Sequence, residues 1–286
     1  MADAMNTHAP SRRGFLGGAA LLASAGLPAA SFAATSTPGD IKLGVASYSF
    51  RKKSAEEAVA GCKALGVRYL NVKNDFHLKY GSSPEQISAF KKLLDDNGIT
   101  LVGTGNTTMR KPDEADIRAK FEFNKAMGSP MMVIAPSLES LPVIEKMVKE
   151  YNIPVAIHNH GPEDKDFFPS PYDVLKAVKN MDPRVGLCMD IGHSTRAGAD
   201  IVKAAKDAGP RLLDMHTKDL KDGKDAKSQV AVGDGILPIA ALFRQLEKQG
   251  YKGYVNLEYE IEADNPMPGM QKSFSYMRGV AAGLKA

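Results

Sequence analysis

The chain has 286 residues, of which 43% are hydrophobic and 24% are charged. This composition is ordinary for a soluble globular protein and argues against a disordered, collagen-like or disulfide-scaffold chain. There are 37 lysines and arginines against 33 aspartates and glutamates, which gives a net charge of +4. The two signs are too even and too dispersed to form a nucleic-acid surface, so we expect no nucleic-acid partner. The length suits two average domains or one α/β barrel of about 250 residues.

The N-terminal segment differs from the rest of the chain. It carries the run Ser-Arg-Arg-Gly-Phe-Leu at 11–16, and the stretch from there to Ala34 is uncharged and rich in alanine, glycine and leucine. Small residues at Ser31 and Ala33 suit cleavage by a signal peptidase. Glycines and Pro28 interrupt the apolar part, which argues against a permanent membrane span. We therefore predict a twin-arginine signal peptide over residues 1–34, with a disordered apolar N-terminus as the alternative.

Removal of this segment would leave a mature chain of residues 35–286. The signal predicts the twin-arginine export machinery as a partner and a periplasmic or secreted location. Two cysteines, Cys62 and Cys188, lie in apolar segments and are predicted to be buried free thiols rather than a disulfide. No linker rich in proline and glycine divides the mature chain. We therefore predict one domain over residues 35–286.

Short apolar runs and helix-period segments alternate eight times from residue 41 onwards. The runs lie at 41–47, 67–73, 99–103, 131–134, 154–158, 185–190, 212–216 and 253–258. Capping boxes at Ser54 and Ser83 mark the starts of the first two helices. Later helices are predicted near 113–127, 138–151, 170–180, 197–208, 237–248 and 268–284. Near-continuous apolar strands separated by helices indicate a parallel sheet covered on both sides.

Eight such units in one domain predict an α/β fold, a closed (β/α)8 TIM barrel, with a doubly wound open sheet as the alternative. In these barrels the chemistry lies at the carboxyl ends of the strands. Ligand-type residues follow the last four predicted strands, as His-Asn-His at 158–160, Asp-Ile-Gly-His at 190–193, His-Thr-Lys-Asp at 216–219 and Glu-Tyr-Glu at 258–260. Imidazole and carboxylate groups converging from neighbouring strands predict one divalent metal, and they suit manganese, zinc, cobalt or iron better than calcium. A rim of solvated polar residues is the alternative.

At these residues the sequence resembles the xylose isomerase-like barrels, a family of sugar isomerases and epimerases. Relatives in that superfamily include inosose dehydratases and abasic-site endonucleases. The resemblance covers residues 41–284 and rests on the runs at 190–193 and 216–219, on Gly-Asp-Gly at 233–235 and on Glu258. It implies that Asp190, His216 and Glu258 bind the metal. The family's carboxylate on strand 5 is replaced here by His158, which the resemblance implies as the fourth ligand.

The resemblance also implies a metal-dependent isomerase or epimerase of a keto-sugar or related polyol. In this chemistry a bound metal stabilises the enediolate that forms when the α-proton leaves. The resemblance makes Glu258 the base, and Lys73 or His160 is expected to carry the second proton. Such an asymmetric pair also suits elimination, so a keto-sugar or inosose dehydratase is the alternative reaction. His193, Lys218, Glu260 and His77 are expected to contact the substrate.

Two further function classes are alternatives for these residues. A non-catalytic periplasmic sugar-binding protein could keep the metal ligands and lack turnover. An abasic-site endonuclease needs additional histidines on strands 2 and 3, and these strands end in Lys73 and in Gly-Thr-Gly-Asn at 103–106. The sequence therefore argues against the endonuclease.

Overall fold

The structure is a computed structural model that describes residues 41–164 and 166–285. The predicted signal peptide at 1–34 and its cleavage site lie outside the described residues and stay predictions. Within the described residues, no helix has both the length and the apolar character needed to cross a bilayer.

Ten strands occur in the described part of the chain, and eight of them form the barrel. The barrel strands are β1 (Leu43–Ala46), β2 (Tyr69–Val72), β3 (Thr100–Met109), β4 (Met132–Pro136), β5 (Val155–His158), β6 (Val185–Asp190), β7 (Leu212–Thr217) and β10 (Val255–Leu257). All neighbours are parallel, and the sheet closes in the order β1-β10-β7-β6-β5-β4-β3-β2. The predicted TIM barrel is therefore confirmed, and the open sheet is wrong.

Helices cover the outside of this sheet. They are α1 (Ala55–Ala64), α2 (Pro84–Asp96), α3 (Glu114–Met127), α4 (Leu141–Tyr151), α5 (Pro171–Val178), α6 (Ile191–Arg196), α7 (Ile201–Ala208), α8 (Ile239–Lys248) and α9 (Met267–Gly283). Both predicted capping boxes are present, because Ser54 accepts from the Glu57 amide and Ser83 from the Gln86 amide. Cys62 and Cys188 are buried and free, as predicted.

The third strand is longer than the sequence predicted. It continues past Gly103 to Met109, and its register with β4 shifts between Thr104 and Thr107. Gly105 sits in this irregular part at φ +121°, and a β-carbon there would lie 1.9 Å from the Val133 carbonyl oxygen. A larger residue would push the two strands apart. The extension carries Asn106 to the wall of the central cavity.

Two short elements beyond the predicted ones follow β6 and β7. Helix α6 begins directly after Asp190, whose side chain caps it by accepting from the His193 amide. The strands β8 (Asp219–Leu220) and β9 (Gln229–Val230) form an antiparallel hairpin after β7. Two-residue strands carry too little hydrophobic alternation to be visible in the sequence. Both elements position residues at the carboxyl end of the barrel.

Candidate metal centre

The carboxyl ends of the strands surround a cavity of about 750 Å³. The side chains lining it include seven predicted site residues: Lys73, His158, His160, His193, His216, Glu258 and Glu260. Asp190 and Lys218 are buried among the same strand ends, behind the lining. The predicted site therefore gathers at one end of the barrel, as the positions of the polar runs indicated.

Four ligand-type side chains meet at the floor of this cavity, and all four are buried: His158, Asp190, His216 and Glu258. They come from the ends of β5, β6 and β7 and from the residue after β10. Nε2 of His158 lies 3.0 Å from Nδ1 of His216, 3.6 Å from Oδ2 of Asp190 and 3.9 Å from Oε2 of Glu258. Nδ1 of His216 lies 3.2 Å from the same Glu258 oxygen. The structure thus brings the four predicted ligands together.

The spacing and chemistry of these atoms fit a divalent ion. Ligand atoms around a tetrahedral zinc at about 2.0–2.1 Å lie about 3.4 Å apart. Four of the six separations here run from 3.0 to 3.9 Å, and all six lie within 4.8 Å. Oδ2 of Asp190 is buried and accepts no well-directed hydrogen bond from any described residue. Two imidazoles and two carboxylates are a donor set that zinc, manganese, cobalt and iron accept.

The protonation states of three of the four side chains also suit a cation. Although burial opposes its charge, Cys188 and Glu258 raise the pKa of His216 well above its usual range, so this imidazole must lose a proton when a metal binds. Burial, helped by the neighbouring His160, lowers the pKa of His158 to about 3, so the imidazole is neutral and keeps the lone pair a metal needs. Burial opposes a charge on Glu258, yet His216 and Lys218 hold the pKa of that carboxyl well below its usual range. Burial also opposes ionisation of Asp190, where Lys218 again lowers the pKa. Both carboxylates are therefore ionised.

Lys218 has an unexpected place in this group. The sequence predicted a substrate contact, whereas the structure buries the whole side chain. Its Nζ lies 3.0 Å from Oδ2 of Asp190 and 3.1 Å from Oε2 of Glu258, and it also pairs with Glu260. The alternation of side chains along a strand places Lys218 on the same side as His216, but it does not indicate how deeply the lysine is buried. Three carboxylates hold the ammonium among the strand ends rather than on the cavity surface.

His160 lies on the cavity wall between two partners. Its Nδ1 is 3.1 Å from Oδ2 of Asp166, and its Nε2 is 2.9 Å from Nδ2 of Asn106. Asp166 also pairs with Arg110 at 2.9 Å. Although burial opposes the charge, the hydrogen bond with His160 helps to lower the pKa of Asp166 to about 2. An ionised Asp166 favours the tautomer with its proton on Nδ1, which leaves Nε2 as the acceptor at the wall.

His193 belongs to an ionic group at the cavity rim. Its Nδ1 is 2.7 Å from Oε1 of Glu163, and Arg196 pairs with the same oxygen. All three side chains line the cavity. The substrate contact of His193 stays a prediction. The structure adds two partners of this side chain, Glu163 and Arg196, which no sequence pattern indicated.

The two predicted residues that follow strand 2 have different places. Lys73 lines the cavity, where Nζ donates to the Asn106 carbonyl oxygen and lies 3.0 Å from Oδ2 of Asp75. His77 lies outside the lining, with Nδ1 3.0 Å from the Ser47 hydroxyl, and burial lowers its pKa. The structure therefore keeps Lys73 at the site and places His77 behind it.

The β8–β9 hairpin positions the two carboxylates that follow β10. Gln229 donates through Nε2 to the Glu258 carbonyl oxygen at 2.8 Å and accepts from the Glu260 amide at 3.2 Å. The Gly-Asp-Gly segment at 233–235 instead packs around Asp219, whose carboxylate accepts from the amides of Gly233 and Gly235. That segment is a loop anchored by Asp219 and lies outside the cavity lining.

Two other groups of possible ligands occur in the described residues. One consists of His158, Cys188 and His216 and so shares two imidazoles with the four-ligand cluster. Burial raises the pKa of the Cys188 thiol to about 12, so this sulfur is a poor ligand until a metal displaces its proton. The other is Glu163, Asp164 and His193 at the rim. The four-ligand cluster differs from both by having two ionised, buried carboxylates.

Fold and site together define a TIM barrel with a cluster of ligand-type side chains at the carboxyl ends of its strands. The sequence pattern of the xylose isomerase-like TIM barrel family matches residues 59–280. The chain therefore belongs to that family, as the resemblance implied.

Known relatives are distant. The rhizopine catabolism protein MocC of Rhizobium meliloti is 25% identical over 205 residues, which are 64% of this chain and 59% of that protein. An inosose dehydratase of Klebsiella pneumoniae is 24% identical over 163 residues, which are 50% of this chain and 54% of that protein. The matches span a little over half the length of these curated relatives.

Solved structures show the same architecture. The IolI protein with a bound zinc atom has a TM-score of 0.72 at 16% identity, over 85% of this chain and 99% of that one. The 3-keto-D-glucoside 4-epimerase of E. coli has a TM-score of 0.66 at 18% identity, over 84% and 99%. At these identities the likeness shows the fold alone.

Proposed function

We propose that this protein is a divalent-metal-dependent isomerase or epimerase that acts on a keto-sugar or a related cyclitol through an enediolate. The observation that carries the proposal is the convergence of four buried ligand atoms at the floor of an open cavity. The family includes sugar epimerases and inosose dehydratases, and their names point to polyhydroxylated ketones as substrates. The size of the cavity and the charged and imidazole side chains on its wall agree with such a ligand.

The residues at the cluster divide the chemistry between them. When bound, a divalent ion stabilises the negative charge that develops on a ketone oxygen. Glu258 lines the cavity as an ionised carboxylate and can accept the α-proton of a substrate seated there. His158 directs Nε2 towards the other ligand atoms, so an ion in the cluster would use that lone pair and leave it unavailable to accept the proton. His160 presents Nε2 at the wall and is the second proton carrier in this proposal, with Lys73 close to it through Asn106.

Exchange of the substrate α-proton with solvent deuterium tests the shared step. The metal-loaded protein should exchange the α-proton of a 3-keto-glucoside, a ketohexose or an inosose, and a chelator should stop the exchange. Glu258→Gln should slow it by about 100-fold or more, the usual contribution of a positioned base. Glu247→Gln on α8, outside this cavity, is the matched control. Exchange at the wild-type rate in Glu258→Gln would refute the base assignment.

A second reaction is favoured by one observation at the same site. The family's strand 5 carboxylate is replaced by His158, so the two proton carriers are unlike one another. Epimerisation needs comparable groups on both faces of the carbon, whereas elimination of water needs one strong base and one acid. A keto-sugar or inosose dehydratase is therefore the second candidate. Loss of water from the product, measured by mass spectrometry, separates the two reactions, and bound metal without any exchange would indicate a sugar-binding protein.

A further inference from the structure

The buried ammonium of Lys218 is the feature that the proposed reaction does not use. Its stem crosses the start of α6, and a β-carbon on Gly192 would lie 2.7 Å from both Cγ and Cδ of Lys218. The side chain itself is fully buried. A glycine in the first turn of α6 thus provides the space that holds this lysine among the ligands.

Lys218 contacts the same two oxygen atoms that a metal would use. Nζ is 3.0 Å from Oδ2 of Asp190 and 3.1 Å from Oε2 of Glu258. Because a zinc ion lies about 2.0–2.2 Å from a carboxylate ligand, an ion held by these oxygens is at most about 5 Å from the ammonium. Two cations at that distance in a buried site repel each other strongly.

The charges of the ligand set make this repulsion important. His158 and His216 add no negative charge, so Asp190 and Glu258 supply two negative charges for two positive charges on the ion. Lys218 adds a third positive charge to the same place. Glu260 is outside the four-ligand cluster but pairs with Lys218, and its side chain is 33% exposed at the cavity. It is thus the carboxylate that can neutralise the lysine when a metal occupies the other two.

We propose that Lys218 and Glu260 set the affinity of this site for divalent ions. Lys218 weakens binding by repulsion, and Glu260 restores affinity by drawing the ammonium's charge away from the ligands. The inference rests on the metal site of the proposed function, and it makes the bound ion exchangeable rather than permanently held. Both residues act through the ligands rather than on the substrate.

Calorimetric titration of metal-free protein with zinc and with manganese tests this without any substrate. Lys218→Met should tighten binding by about tenfold and Glu260→Gln should weaken it by about tenfold, the range known for groups next to metal ligands. In the double variant, the Glu260→Gln effect should disappear, because Glu260 acts through Lys218. Lys73→Met, which removes another lysine of the same cavity, is the matched control and should change the affinity less than Lys218→Met.

The outcomes separate this inference from the proposed function. If the wild type binds metal and Lys218→Met binds equally or more weakly, the inference is wrong and the proposed function stands. An equal loss on Glu260→Gln in both backgrounds would make Glu260 a direct ligand and would also overturn it. If neither the wild type nor Lys218→Met binds metal, both proposals fail. If Lys218→Met does not fold, Glu260→Gln serves as the test, because the Glu260 side chain is partly exposed. An unchanged metal affinity in that variant contradicts the inference.

Discussion

Two layers of the barrel interior bury carboxylates in opposite ways. In the layer beneath the cluster, Asp214 accepts hydrogen bonds from Nδ2 of Asn71 at 3.2 Å and from Nδ2 of Asn256 at 2.9 Å. Burial raises the pKa of Asp214 to about 7. In the cluster, Asp190 and Glu258 are also buried, but Lys218 lies within 3.1 Å of both, and their pKa values are lowered.

The comparison shows what decides the charge of a buried carboxyl group. Amide donors solvate the anion in part, and they do not offset the loss of water around it. Buried cationic side chains do offset it, Lys218 at Asp190 and His216 with Lys218 at Glu258, because the Coulomb attraction grows as the surroundings become less polar. The layer that contains Asp190 and Glu258 therefore carries the negative charge that a cation needs, whereas Asp214 can keep its proton near neutral pH.

The largest expected effect is on stability and concerns Asp214. Its pKa rises from an ordinary 3.8 to about 7 in the folded state. The stability that the protonated carboxyl gives the folded state is therefore fully present below about pH 4 and is lost as the pH rises through 7. The corresponding free energy is about 4 kcal/mol. Urea unfolding of the wild type between pH 4 and 8 should show this loss, and Asp214→Asn should show a flatter dependence.

The control for that experiment is Asp95→Asn, which removes one exposed carboxylate on α2. It should leave the pH dependence of unfolding close to that of the wild type. Equal slopes for the wild type and Asp214→Asn would mean that Asp214 ionises normally in the barrel. The contrast between the two layers would then disappear.

The next effect is on metal binding and uses the same substitution in both layers. Asp190→Asn should weaken zinc binding by about 100-fold, since a ligand in a four-ligand site carries a large share of the binding free energy. Asp214→Asn is the matched variant, because Asp214 pairs in register with Cys188, two residues before Asp190 on β6. It should change the affinity only a few-fold. Similar losses in both variants would show that the cluster is not the binding site.

The smallest effect concerns the orientation of His160. Asp166→Asn removes the carboxylate 3.1 Å from Nδ1, so Nδ1 and Nε2 should share the proton and the ring should turn more freely. We expect turnover to fall by about tenfold with metal content unchanged. The nitrogen chemical shifts of His160 report the tautomer independently of activity. Asp207→Asn on α7 is the control, and unchanged shifts in Asp166→Asn would contradict the assigned orientation.

The sequence was sufficient to predict the barrel. Its eight apolar runs are separated by helix-period segments, the first two of which begin with capping boxes. Each run forms a parallel strand, as expected for a sheet covered on both faces. The candidate metal ligands could also be predicted, because the carboxyl ends of parallel strands meet at one edge and the resemblance identified Asp190, His216 and Glu258. Their convergence in the structure is what that argument requires.

The rest of the site depends on distances that a sequence pattern does not contain. Lys218 follows His216 at the spacing of a cavity-lining residue, and its burial depends on Gly192 and on three carboxylates from other strands. Asp166 reaches His160 from the loop after β5, where no periodicity exists. Asn106 arrives at the wall through the irregular part of β3. Glycine and asparagine after a predicted strand end were the sole signals for that extension.

X-ray absorption of the zinc-loaded protein tests the central claim most directly, because it counts the atoms around the metal. The four-ligand cluster predicts nitrogen and oxygen neighbours at about 2.0–2.1 Å, with two imidazoles in the outer-shell scattering and no sulfur. A sulfur neighbour at about 2.3 Å would contradict the account. It would move the metal to His158, Cys188 and His216 and would leave the ionised carboxylates Asp190 and Glu258 without the role proposed for them.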